Sequence, residues 1–63
     1  MKTQKQLGVL MIKYGMICAQ TGAHREATNK VQALDIWEHA PRTEGTWLLV
    51  IDWEVVKEEE VAA

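Results

Sequence analysis

Residues 21–34 read TGAHREATNKVQAL, and the fold turns on whether this stretch is a helix. Thr21 suits an N-cap, because a hydroxyl at a helix start accepts from a backbone N–H that has no intrahelical partner. At 100° per residue, Ala23, Ala27, Val31 and Leu34 then fall within about 40° of one line, an inner face of small and medium apolar groups. The outer face carries Arg25, Asn29 and Gln32, with Thr28 at one shoulder and His24 and Lys30 nearer the core.

Upstream, Gly22 and Gly15 punctuate the pattern, and glycine supplies turn conformations without steric cost. Between them MICAQT, residues 16–21, is long enough for about a turn and a half of helix. From Thr3 to Tyr14, the positions Leu7, Leu10, Met11 and Tyr14 recur at i, i+3, i+4 and i+7, the stripe of an amphipathic helix. Val9 and Ile12 lie on its far side. They face a second chain, or else the segment is a buried strand; the helix is the preferred reading.

Downstream of Leu34 the period changes from about 3.6 to 2. Ile36 and Trp37 sit among alternating polar residues in LDIWEH, and Pro41 breaks the chain in APRTEG. TWLLVIDWEVV, residues 46–56, alternates again with Trp47, Leu49, Ile51, Trp53 and Val55 on one face. Leu48 and Val50 make the other face partly apolar, so the centre of this strand is open to cover on both sides. A turn to helix from Asp52 is the alternative, since Asp caps well and EVVKEEEV holds helix formers. Residues 1–57 are read as one small domain and 58–63 as a frayed acidic tail.

Composition bounds the function. A chain of 63 residues is at most one domain and buries only about 60% of its unfolded surface, so dimerisation is a natural source of added stability. Apolar residues make up 48%, with three Trp, too many for a disordered chain, yet no apolar run approaches the roughly 20 residues that span a bilayer. MKTQKQ followed by LGVLMI lacks a small-residue cleavage pattern, so no export signal is read. One cysteine excludes an internal disulfide and suits a reducing cytoplasm, with Cys18 as a core residue. With His24 and His39 far apart in sequence and no second cysteine, no metal site is expected, and no cofactor motif is present. No nucleophile has a neighbouring base and no phosphate loop occurs, which argues against an enzyme.

Charge is unevenly distributed. Residues 1–33 set Lys2, Lys5, Lys13, Arg25 and Lys30 against Glu26, a balance of +4. Residues 34–63 set Arg42 and Lys57 against eight carboxylates, a balance of −6, and together these make the −2 of the whole chain. A basic face for nucleic acid is thus compatible with an acidic chain.

Helix, short helix, tight Thr-Gly turn, helix, hairpin is the element order of an α+β winged helix-turn-helix domain; an all-α helical dimer is the alternative. In the winged arrangement the helix after the turn enters the major groove and the hairpin meets a phosphate strand or the minor groove. Arg25 then suits guanine, Asn29 or Gln32 adenine, Thr28 completes the face, and Arg42 beside Pro41 suits phosphate.

ICAQTGAHREAT, residues 17–28, together with TWLLVIDW, residues 46–53, resembles the turn motif and Trp-containing wing strand of small phage-type excisionases and Cox-like regulators. The likeness spans about residues 16–55. It implies a DNA-binding regulator or recombination accessory factor that binds repeated sites as a dimer or cooperative oligomer, with Arg25, Thr28, Asn29 and Gln32 reading bases and Arg42 on the wing. The chain departs from that family in its net acidity, in Glu26 within the reading helix, in Thr28 where an apolar residue is common and in Cys18 where Ala is usual. A second reading is a small phage-type interaction module or inhibitor that docks on a larger protein, suggested by Val9, Ile12, three Trp and the acidic second half. The positions of Trp37, Trp47 and Trp53 discriminate: buried rings fit a packed wing, exposed rings a docking face.

Overall fold

The computed structural model describes residues 12–62. Four strands and one helix follow in the order β1 (Tyr14–Cys18), β2 (His24–Glu26), α1 (Lys30–His39), β3 (Gly45–Ile51) and β4 (Glu54–Val61). The strands form one open sheet in the order β2-β1-β3-β4, each antiparallel to its neighbours. This is a small α+β domain. The α+β class expected from the sequence holds, but the element order is not that of a winged helix-turn-helix and the chain is not all-α; the correction begins in the stretch that seemed to decide the fold.

Thr21 and Gly22 do form a turn, with Gly22 at φ +79°, but the turn joins two strands. Cys18 N–H donates to the Ala23 carbonyl at 2.8 Å and Gly22 N–H to the Cys18 carbonyl at 2.9 Å, which closes a β1–β2 hairpin. The expected reading helix over 21–34 is therefore strand β2, a link, and only the first half of α1. The expected short helix over 16–21 falls largely in β1, and Tyr14, placed in a first helix, opens that strand. The rest of the helix expected from Thr3, with Val9 and its stripe, lies outside the described residues apart from Ile12 and Lys13.

Gly15 does not end a helix. It sits inside β1 at φ +143°, between Glu26 on one side and Val50 on the other. A Cβ there would come within 2.2 Å of the Arg25 carbonyl oxygen, so the absence of a side chain is what lets β2 close on β1.

The helix starts later than expected and runs through the segment read as a strand. Ile36 and Trp37 belong to α1, whose inward stripe is Ala33, Ile36, Trp37 and Ala40 at i, i+3, i+4 and i+7. This stripe packs over β1 and β3. Ala33 and Trp37 join Met16, Cys18, Ala27, Trp47 and Leu49 in the main core. Trp47 keeps its indole N–H satisfied by donating to the Thr43 carbonyl at 2.7 Å.

The opposite sheet face buries Ile12, Ile17, Leu48 and Val50, with Val55 at its margin. β3 is thus covered on both sides, which explains its unbroken apolar run. The reading of residues 46–56 as one strand is corrected at Asp52 and Trp53, where the chain reverses and returns as β4. Residues 58–61, expected in a frayed tail, continue β4 and pair with β3 as far as Val61 opposite Gly45. Leu49 pairs with Lys57 and Val50 with Val55, so Val56 is the extra residue of a β-bulge.

Candidate functional site

The five residues expected to contact DNA do not share a helix face. Arg25 stands on β2, at the sheet edge. Thr28 lies in the link before the helix. Asn29 is the N-cap of α1, and its Oδ1 accepts from Gln32 N–H at 2.9 Å. Gln32 answers by accepting from Thr28 N–H at 2.6 Å through its Oε1. Two orphan amides are satisfied by this reciprocal pair, a relative of the capping box, so both carboxamide oxygens serve the helix start.

Arg42 follows the helix, outside any hairpin tip. Its guanidinium lies 4.2 Å from the centre of the Trp37 ring, donates to the Trp37 carbonyl and pairs through Nε with Glu59 Oε1 at 3.4 Å. Its side chain is only 16% exposed. These contacts tie the end of α1 to β4, and they leave little of Arg42 to meet a phosphate.

Polar closure also occurs at the far end of the sheet. Gln20 accepts from Thr46 N–H at 2.7 Å and donates to Thr46 Oγ1 at 3.0 Å, while that hydroxyl donates to Glu60. Thr46 is buried, so each of these bonds replaces water that folding removes. Among the described residues no group of three or more His, Cys, Asp and Glu side chains is placed to hold a metal ion. Nor is any helix there long and apolar enough to cross a membrane.

The tryptophans divide. Trp37 and Trp47 are buried in the main core, whereas Trp53 is 47% exposed. Asp52 and Trp53 have φ +53° and +68°, the pattern of a two-residue type I′ hairpin turn with both central residues left-handed. Asp tolerates this region; a large aromatic residue rarely occupies it, because Cβ crowds the following carbonyl. The turn is held from outside. Trp53 N–H donates to the Lys13 carbonyl at 3.1 Å, and the Tyr14 hydroxyl donates to Asp52 Oδ1 at 2.8 Å. That hydrogen bond, aided by lost solvent and the nearby carboxylate charge, raises the Tyr14 phenol above its ordinary range.

Trp53 was read as one more inward position of a long strand. The sequence signal for the turn was weak, since Asp-Trp lacks the glycine that usually marks a type I′ hairpin. The signal for the helix start was present as Asn29 followed three residues later by Gln32.

Comparisons with protein-family models, with curated proteins and with solved structures give no match. The functional reading therefore rests on the geometry of these surfaces.

Proposed function

We propose that this chain is a small, non-catalytic protein-interaction module that docks on a larger protein through the tip of the β3–β4 hairpin, with Trp53 as its anchoring side chain. The observation that carries this reading is Trp53 itself, half exposed at φ +68°. Folding gains little from an indole left in water, and the backbone there costs about 1–2 kcal/mol relative to a residue without Cβ. A strained, exposed aromatic held by bonds from neighbouring segments is the kind of feature that binding surfaces retain.

Val56, 49% exposed at the bulge, adds apolar area on the same hairpin. Beside Trp53, β4 opens with the exposed Glu54, so the partner surface that fits is an apolar pocket with a basic group at its rim. A single buried thiol, Cys18, suits work in a reducing cytoplasm.

The test compares the chain with Trp53→Gly. Partners are cross-linked and identified from the producing cell, then titrated with both purified proteins by calorimetry. Binding weakened at least tenfold by Trp53→Gly supports the reading; equal affinity for both proteins overturns it. A gel shift on mixed-sequence DNA at two salt concentrations, with Arg25→Ala and Asn29→Ala beside it, runs in parallel. Salt-sensitive binding lost in those two variants but kept in Trp53→Gly would replace the docking reading with a nucleic-acid one.

A further inference from the structure

The opposite edge of the sheet offers a second surface. In the β1–β2 pair, the Cys18 N–H to Ala23 carbonyl and Ala27 N–H to Tyr14 carbonyl bonds are both 2.8 Å. Antiparallel pairing alternates, so Ala23, Arg25 and Ala27 turn their backbone groups toward β1. His24 and Glu26 turn theirs outward, where β2 has no neighbouring strand among the described residues. Two N–H groups and two carbonyls therefore form a short open edge.

Beside that edge lies a groove, because α1 sits over β1 and β3 and leaves β2 uncovered. Arg25 pairs with Met16, a residue of the helix-side core, so its side chain also stands on the helix side. It separates two recesses. One is lined by Pro41, Thr43 and Trp47 with Arg42, the other by Ile36 and Ala40 with Asp35, His39 and Glu26, and His24 borders both. Asp35 lies 3.2 Å from His39 Nδ1, a contact that is ionic only with the imidazole protonated, and Arg42 is paired with Glu59. Glu26 sits one position from Arg25, so its side chain is directed toward the other sheet face. Among the described residues, Arg25 is the cation that borders both recesses with no ion-pair partner, Arg42 being taken by Glu59.

We propose that β2 accepts a fifth strand, an extended segment of a partner protein with an acidic side chain flanked at i−2 and i+2 by apolar ones. Strand addition uses the outward backbone of His24 and Glu26. For antiparallel addition Arg25 falls in a non-hydrogen-bonded pair, where side chains approach most closely, so the acidic group meets its guanidinium. Residues two apart on a strand stand about 7 Å apart, which carries the apolar side chains into the two recesses. The proposal rests on the interaction-module reading but uses a different surface, so the two fail separately: Trp53→Gly leaves this edge intact.

The experiment is an amide NMR titration of the full chain with the peptide acetyl-TVTETVT-amide and with its counterpart carrying K in place of E. Expected are shifts and slowed hydrogen exchange at the His24 and Glu26 amides, with the acidic peptide bound about tenfold more tightly. Arg25→Glu, checked for folding by circular dichroism, should reverse that preference. Unmoved His24 and Glu26 amides, or equal binding of both peptides, would overturn the proposal. So would concentration-dependent self-association abolished by Glu-to-Lys changes in β4, which would give this edge to a second copy of the chain.

Discussion

Arg42 lies with its guanidinium 4.2 Å from the Trp37 ring centre and donates to the carbonyl of the same residue. One side chain thus covers the face of a core indole, caps the end of α1 and, through Glu59, reaches the edge strand β4. This arrangement makes Arg42 a residue of the fold.

Arg42→Ala should destabilise the domain by about 1–3 kcal/mol, through lost stacking, lost packing of the stem and an uncapped carbonyl. Arg42→Lys should recover only part of this, because an ammonium cannot stack and donate in the same plane. Urea unfolding followed by tryptophan fluorescence measures both.

Asn29→Ala should cost about 1 kcal/mol, the usual worth of an N-cap, and Asn29→Asp should cost less. If Asn29 acted only on a ligand, neither change would move the unfolding midpoint.

Gly15→Ala should cost about 2–4 kcal/mol, since it combines a left-handed backbone with a clash against the Arg25 carbonyl. The strain falls on the β1–β2 pair, so faster amide exchange in Arg25 and Ala27 should accompany the lower stability.

Trp53→Gly should stabilise the isolated chain by up to about 1 kcal/mol, because it relieves the left-handed strain at the hairpin tip. Stability and docking then move in opposite directions in one variant. A thermal melt beside the binding titration reads both.

Tyr14 is the one tyrosine of the chain, so its ionisation can be followed by absorbance without interference. Its folded pKa is raised, chiefly by the hydrogen bond to Asp52. The stabilisation from that bond is present below the ordinary tyrosine pKa and is lost as pH rises through the higher folded value. Asp52→Asn should bring the titration midpoint down toward the free phenol, and Tyr14→Phe should remove the alkaline loss of stability that this group contributes.

The helix shows how a legible signal was outweighed. Asn29-x-x-Gln32 followed by Ala33, Ile36, Trp37 and Ala40 contains both a cap and a stripe, but Thr21 and the run of Ala23, Ala27 and Val31 offered a competing cap eight residues earlier. Val31 settles the competition: on the true helix it is 77% exposed, because the inward direction is set by the sheet below. Of the expected site residues, Asn29 and Gln32 were assigned to the outer face of a helix over 21–34, whereas their oxygens close the first turn of α1.

Local chemistry in the sequence by itself determined several features: a turn at Thr21 and Gly22, a β3 centre apolar on alternate faces from Trp47 to Val50, a core rich in tryptophan, and a lone buried thiol. Only the tertiary structure decided that residues 14–18, 24–26 and 57–61 are strands and that 54–56 belong to a separate one. A three-residue segment such as His24–Glu26 has no period to read, and EVVKEEEV carries more helix formers, Glu and Lys, than strand formers, Val. Both become strands because distant backbone, β1 for one and β3 for the other, supplies the hydrogen bonds that their own neighbours in sequence do not.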